Sequence, residues 1–325
     1  MSYRPYRRDF SMPLQTAHGE WEVREGFILR VESERGVGYS EVAPIPEFGT
    51  ETVERAANFL EQWVADSIII PSGLPCCSFA QTTAIHQMEQ QGLSAARDYS
   101  VAALLPSGPD ALPVAGEKIS DGYRTLKWKI GVFPFEAEQE FFRDLLELLT
   151  ADIYLRLDAN GGLSPGALES WLEILSPHSK QIEYLEQPLP PGEERLMAES
   201  AKASGIRIAL DESLNLPGCE RWLTPGGWDG PLVIKPLLMG NVTQLMELLK
   251  PLARQLVFSS VFETGIGLSQ ALSLADALPE MNYAIGFDTF KAFDDELSGI
   301  AFGPVVAAEA RAGMSLDAIW NQLQP

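Results

Sequence analysis

Lys127-Trp128-Lys129, Arg156-Leu157-Asp158-Ala159-Asn160, Tyr184-Leu185-Glu186-Gln187-Pro188, Ala209-Leu210-Asp211-Glu212 and Val233-Ile234-Lys235-Pro236 each end a short apolar run on a charge. One charge from each, Lys129, Asp158, Glu186, Asp211 and Lys235, gives successive spacings of 29, 28, 25 and 24 residues. That step is about the length of one strand plus its returning helix. The surrounding runs at 101–105, 125–130, 153–157, 182–185, 207–210, 232–234, 256–259 and 283–287 have the length and apolar character of buried parallel strands. Helix-like stretches at 138–149, 168–175, 193–203 and 242–249 alternate with them. Eight strands alternating with helices predict an α/β barrel over 101–290. A doubly wound sheet is the structural rival, but no Gly-rich phosphate turn follows an early strand. The connection 106–124 reads as irregular, without a full crossover helix.

The first hundred residues follow another pattern. Phe27-Ile28-Leu29-Arg30-Val31-Glu32-Ser33 and Val37-Gly38-Tyr39-Ser40-Glu41-Val42 are strand-like and flank Glu34-Arg35-Gly36, a hairpin signal. Pro44-Ile45-Pro46-Glu47-Phe48-Gly49 is a rigid loop, after which a helix opens with Thr50 as its expected cap. Val53, Ala56, Ala57 and Leu60 share one face of it, and a second helix is expected over 78–91. Residues 1–100 thus predict an α+β module with antiparallel strands, and the tail 291–325 is too short for a domain and is expected to pack back on it.

Composition narrows the function. Lys plus Arg number 24 against 45 Asp plus Glu, a formal net charge of −21. Such a surface repels phosphate backbones and anionic lipid, so the expected partner is a small molecule, with neither nucleic acid nor membrane. No stretch reaches the roughly 18 apolar residues of a membrane span, and the start at Met1 leads into no signal-peptide pattern. The cysteines Cys76, Cys77 and Cys219 form no disulfide framework, as expected for a reducing cytoplasm. His18, His86 and His178 are scattered without metal-ligand spacing. No G-x-S-x-G elbow, P-loop or dinucleotide fingerprint is present. Any catalysis therefore rests on carboxylates and lysines.

Taken singly, each of the five strand-end charges has an ordinary reading as a helix cap or a snorkelling lysine. Together they place a ring of charge at the carboxyl ends of successive strands, where barrel enzymes keep their active sites. Asp158, Glu186 and Asp211 supply hard oxygen ligands suited to Mg²⁺, flanked by Lys129 and Lys235. After the seventh strand, Ser260 and the Gly265 backbone stand where a helix start could bind a substrate carboxylate, or simply cap the helix.

Lys-x-Lys, Asp-x-Asn, Glu-Gln-Pro, Asp-Glu-Ser and Ile-Lys-Pro, in this order, resemble the muconate-lactonising branch of the enolase superfamily. Pro13-Leu14-Gln15-Thr16-Ala17-His18-Gly19 with Trp21-Glu22-Val23-Arg24-Glu25-Gly26, and 38–49, resemble its o-succinylbenzoate synthase (MenC) family. The resemblance implies a modified (β/α)7β TIM barrel under an α+β cap completed by the tail. It implies Asp158, Glu186 and Asp211 as Mg²⁺ ligands and Lys129 and Lys235 as the residues facing each other across the substrate. Lys127 would be the electrostatic neighbour of Lys129, and Asn160 a supporting residue. The segment 15–19 resembles the family's lid loop. The implied reaction is dehydration of SHCHC, a succinyl-hydroxy-cyclohexadiene carboxylate, to o-succinylbenzoate in menaquinone or phylloquinone synthesis. Lys129 would remove the α-proton and return it to the departing hydroxyl. Enolase-superfamily chemistry with Lys bases and Mg²⁺ is itself a standard example of tuned acid–base catalysis. The same five residues also suit an N-acylamino-acid racemase, a dipeptide epimerase or a cycloisomerase. The Gly286-Phe287-Asp288 ending differs from the Asp-x-Asp with which dipeptide epimerases hold an α-ammonium.

Overall fold

The protein is described from a computed structural model over residues 1–16, 19–66, 69–89 and 96–324. A three-stranded antiparallel sheet opens the chain: β1 (Ser2–Thr16), β2 (Gly19–Ser33) and β3 (Gly36–Val42), in that order. The β2–β3 hairpin falls where its turn signal predicts, with Ser33 opposite Gly36. β1 has no counterpart in the sequence reading. Its inward positions are Tyr6, Arg8 and Phe10, and an arginine at the centre of the buried face hides the period-two pattern. Arg8 is tolerated there because Asp295 takes two of its N–H groups, at 2.7 and 2.9 Å, and Phe293 lies 3.7 Å beneath its guanidinium.

Two helices follow, α1 (Val53–Ala65) and α2 (Pro75–Glu89). The cap of α1 is Thr52, whose hydroxyl accepts from the Arg55 N–H; Thr50 instead bonds Ile45 N and Glu51 O in the preceding loop. Ala56, Phe59, Leu60 and Trp63 form the buried face of α1. α2 ends at Glu89, and Gln91, the expected end, lies outside the described residues, as does His18. Gly38 of β3 allows α2 to approach, since a Cβ there would lie 1.9 Å from the Ala84 carbonyl. Cys76 and Cys77 are buried in α2, and all three cysteines are free thiols.

The chain then enters the barrel through β4 (Tyr99–Ser100) and β5 (Ala102–Leu104). Next come α3 (Ala111–Ser120), β6 (Thr125–Lys129), α4 (Phe135–Leu148), β7 (Tyr154–Asp158), α5 (Pro165–Leu175), β8 (Ile182–Glu186), α6 (Glu194–Ser204) and β9 (Ile208–Ala209). β10 (Leu232–Ile234), α7 (Val242–Leu249), β11 (Leu256–Phe258) and α8 (Gly265–Ala277) complete it. β5 to β9 form one parallel sheet and β10 pairs with β11. Single parallel bridges, Leu210–Leu232, Ser259–Gly286 and Ile285–Val101, close the ring. The expected strand at 283–287 exists only as two of those bridges. The connection expected to be irregular contains α3; Pro113 in its first turn and Gly116 at its centre mask it from a propensity reading. Between β9 and β10 two 3-10 turns, Glu212–Leu214 and Cys219–Arg221, replace the outer helix. Among the described residues no helix is long and apolar enough to cross a membrane.

The tail adds β12 (Val305–Val306), antiparallel to β4, then α9 (Ala308–Ala312) and α10 (Leu316–Gln322). α10 packs on the cap sheet: Ile319 and Trp320 share a core with Tyr6, Ile28 and Tyr39. Arg4 lies 4.3 Å from the Trp320 ring centre and donates to its carbonyl at 2.7 Å.

Glu41 of β3 joins cap to barrel. Fully buried, it accepts from Tyr6 Oη at 2.7 Å and, at the start of α8, from Thr264 N at 2.8 Å, Thr264 Oγ1 at 2.5 Å and Gly267 N at 3.1 Å. An anion at a helix N-terminus satisfies donors the helix cannot. Gly267 is required beside it, because a Cβ would stand 2.5 Å from Glu41 Oε2. Glu41→Ala strands these buried donors and is expected to lower unfolding stability by about 3–5 kcal/mol in urea titrations.

Candidate active site

Parallel register assembles the site. Lys129 pairs with Asp158 across β6 and β7, and Asp158 with Glu186 across β7 and β8. Lys127 and Lys129, two apart on one strand, point to the same side. Lys127 Nζ lies 2.8 Å from both Asp158 Oδ2 and Glu186 Oε1, while Lys235 pairs with Asp211. Lys127, Lys129, Asp158, Asp211 and Lys235 line a cavity of about 200 Å³ at the carboxyl ends of the strands, with Glu186 buried beneath.

The electrostatics separate the two lysines of β6. Burial works against the Lys127 charge, but Asp158 and Glu186 overcome it and hold its pKa well above the lysine range. Lys129 is lowered instead, by burial and by the cation of Lys127, against the pull of Asp158. Desolvation and the charges of Asp158 and Asp211 drive Glu186 far up, opposed by Lys127. Burial opposes the Asp158 charge too, yet Lys127 and the Asn160 N–H hold that carboxyl below its usual value.

The backbone is strained at this rim. Asn160, Gln187 and Phe262, each just beyond a barrel strand, have φ of 45°, 32° and 60°. Asn160 is anchored through its N–H to Asp158 Oδ1 at 3.0 Å and its Nδ2 to Glu212 Oε1 at 3.1 Å. Gln187, fully buried, accepts from Asp211 N at 3.0 Å and donates to Ser213 Oγ at 2.9 Å, locking the turn that carries Asp211. Glu138 of α4 accepts from the N–H groups of Gly131, Val132 and Phe133 at 2.8–3.0 Å, fixing the chain beyond Lys129.

The cap supplies an apolar roof. Trp21 of β2 and Ile45 and Phe48 of the rigid loop line the cavity; the Phe48 ring centre is 4.9 Å from Lys235 Nζ. Gln15, Thr16 and Gly19 of the expected lid loop are strand residues, and Ala17 and His18 lie outside the described residues. Ser260 reaches the cavity wall. Gly265 is not among the lining residues, and its N–H is committed to the Leu297 carbonyl at 2.7 Å. With Glu41 occupying the start of α8, that helix end binds an internal carboxylate rather than a substrate. Sequence reasoning missed Trp21, Phe48, Phe262 and Thr289 as lining residues, and Glu212 lines the cavity as well. Burial and the neighbouring Asp211 and Asp158 push Glu212 up to about 7. Phe48 sits in the Pro-Ile-Pro-Glu-Phe-Gly motif, the one signal that could have marked it.

Three carboxylates on neighbouring strands form a hard-oxygen donor set. Glu186 Oε2 is buried without a hydrogen-bond partner, and its carboxyl is destabilised by the other two acids. Such a group calls for added positive charge, and its chemistry fits a divalent cation. With Lys127 and Lys235 on the acids, no three acidic side chains among the described residues converge as a ready-made ligand cluster.

Residues 6–88 match the family model of the MenC N-terminal domain, and residues 113–310 that of the enolase C-terminal domain-like family. An o-succinylbenzoate synthase from Thermosynechococcus vestitus is 36% identical over 88% of this chain and 91% of its own length. The chain belongs to the o-succinylbenzoate synthase family. Another member, from Aliivibrio salmonicida, is 32% identical over 92% of each chain. The crystal structure of o-succinylbenzoate synthase from Thermosynechococcus elongatus, described as complexed with Mg in the active site, superposes with a TM-score of 0.83 at 32% identity, covering 99% of both chains. The muconate lactonizing enzyme from Mycobacterium smegmatis, 18% identical with a TM-score of 0.81 over 99% of this chain and 98% of its own, shares the fold. The family's modified barrel and capping domain therefore describe this architecture.

Proposed function

We propose that this chain is a lyase of the o-succinylbenzoate synthase type, removing water from SHCHC to give o-succinylbenzoate for menaquinone synthesis. The observation that carries the reading is the juxtaposition of Lys129, lowered by burial and by Lys127, with Asp158 and Asp211 in a cavity roofed by Trp21 and Phe48, with Glu186 buried beneath. Residues 1–100 with the tail 291–325 act as the cap, and 101–290 as the catalytic barrel.

Asp158, Glu186 and Asp211 would hold Mg²⁺, which supplies a Lewis acid for the substrate's ring carboxylate. Lys129 as free amine takes the proton α to that carboxylate. The resulting ammonium then returns a proton to the departing hydroxyl, so that one residue serves as base and then acid. Water leaves and the ring becomes aromatic, with no net change in the enzyme's protons. Lys235, held by Asp211, stands as a cation near the developing negative charge. Lys127 stays protonated between Asp158 and Glu186 and keeps Lys129 from holding its proton too tightly. Trp21 and Phe48 exclude water from the ring.

Asp288 weighs against an epimerase. It lines the cavity, but its carboxylate is already partnered by Lys118 and accepts from Leu104 N at 3.0 Å and Tyr123 Oη at 3.2 Å, so its charge is balanced before any substrate ammonium arrives. Incubation with SHCHC and Mg²⁺ is expected to form o-succinylbenzoate at a turnover on the order of 1–10³ s⁻¹. Product formation no faster than in buffer, together with α-proton exchange on N-acylamino acids or dipeptides in deuterated water, would reverse the assignment.

A further inference from the structure

The wall formed by the β11–α8 connection and the segment after Gly286 carries three linked side chains. Ser260 Oγ lies 3.0 Å from Glu263 Oε2 and 2.8 Å from Thr289 Oγ1, and accepts from Phe262 N–H at 2.9 Å. Glu263 Oε2 also accepts from Val261 N–H at 2.7 Å. Ser260 and Thr289 line the reaction cavity, whereas Glu263 is not among its lining residues. Glu263 and Thr289 border a second, smaller cavity of about 20 Å³, with Thr264 and Ser298 beside them. That volume matches one water molecule.

Counting hydrogens decides what this chain of hydroxyls can do. Each hydroxyl has one donor and two acceptor positions. With Glu263 ionised, the Ser260 hydrogen goes to Glu263 and the Thr289 hydrogen to Ser260. Ser260 then accepts from Phe262 and Thr289, and no hydroxyl hydrogen is left for the cavity. With Glu263 protonated the order reverses: Glu263 donates to Ser260, Ser260 donates to Thr289, and the Thr289 hydrogen is released toward the cavity. An anionic ligand at this wall needs the second arrangement.

We propose that Glu263 is a positioning residue that, through Ser260 and Thr289, turns a hydroxyl hydrogen toward the substrate's succinyl carboxylate and takes up one solvent proton as that carboxylate binds. The proposal rests on the dehydratase reading, which supplies a substrate with a second carboxylate. No substrate bond changes in the step: the proton moves from solvent to Glu263, and the two hydroxyls rotate. The smaller cavity leaves room for one water beside Glu263, outside the reaction cavity.

The charged groups around Glu263 are Glu41 of β3, Arg24 of β2, which donates to Val261 O at 3.0 Å, and Arg8 of β1, which donates to Glu263 O at 3.0 Å and is paired with Asp295. Burial, with a contribution from Glu41, pushes the Glu263 carboxyl up to about 7, against the N–H of Val261. Protonation is therefore available at neutral pH. Below that value the wall offers its donor at no cost, and above it each pH unit weakens carboxylate binding up to tenfold.

The test is calorimetric binding of o-succinylbenzoate to the Mg²⁺-loaded protein about one pH unit above neutrality, in two buffers of different ionisation enthalpy, for wild type, Glu263→Gln and Thr289→Val. Wild type is expected to take up close to one proton, and Glu263→Gln none, with its affinity flat across pH. Thr289→Val should lose at least tenfold in affinity at pH 6.5, and in turnover assays raise KM with little change in kcat. Tight wild-type binding without proton uptake, or the same uptake in Glu263→Gln, overturns the proposal and leaves the dehydratase reading standing. Failure of the wild type to bind the product or turn over SHCHC overturns both.

Discussion

Lys129→Ala is expected to lower kcat for SHCHC dehydration by at least about 10³-fold while the protein stays folded and still binds Mg²⁺. The size follows from the double task proposed for this residue, since its loss removes the base for the first proton transfer and the acid for the second. The fold should tolerate the change, because Lys129 is only partly buried at the barrel mouth and its buried neighbour Asp158 keeps Lys127 at 2.8 Å. The pH dependence has a definite sign. Lys129 must be neutral to act as base, so kcat/KM rises with pH as its ammonium loses a proton. Burial and the Lys127 cation lower that pKa, moving the rise toward neutrality from the usual lysine range. Lys127 adds no inflection near neutrality, because Asp158 and Glu186 keep it charged. A Lys129→Ala enzyme with normal turnover, or a rate independent of pH on the acid side, would assign the proton transfer elsewhere.

Removal of divalent metal with a chelator is expected to cost at least about 10³-fold in turnover, restored by Mg²⁺, because stabilisation of developing charge is usually the largest single contribution. A readout independent of activity comes from binding. Mg²⁺ associating with the folded state alone raises Tm with concentration. Glu186→Gln keeps the volume of the side chain and an oxygen for Lys127, but removes the charge whose second oxygen is buried and unpartnered. The variant should lose at least tenfold in Mg²⁺ affinity by calorimetry, with unfolding stability equal to wild type or higher, since a buried acid crowded by Asp158 and Asp211 has been neutralised. Unchanged Mg²⁺ affinity would place the metal elsewhere.

The ring of strand-end charges was legible because each member ends its own strand. A short apolar run, a charge and a turn are local features, and one strand–helix repeat about every 25–30 residues suffices to set the charges on one rim of a barrel. The β2–β3 hairpin, the helices α4 to α7 and the return of the tail were readable for the same reason: periodicity and turn chemistry act over a few residues. β1 was not, because its buried face holds Arg8, whose burial is made tolerable by Asp295, 287 residues away. α3 was hidden by Pro113 and Gly116, which a helix packed against the barrel accommodates although an isolated one would not.

The sequence by itself determined the barrel, its rim of lysines and acids, and the presence of a separate cap, since these follow from backbone period and strand-end chemistry. Only the tertiary structure decided what closes the cavity and which donors remain free inside it. Phe48 reaches Lys235 across 187 residues of chain, and Glu41 takes the start of α8. The Gly265 N–H goes to the Leu297 carbonyl, and Glu263, Ser260 and Thr289 join in one hydrogen-bonded wall. A buried donor or acceptor must find a partner wherever the folded chain supplies one, and that choice is made by packing in space, which no local pattern records.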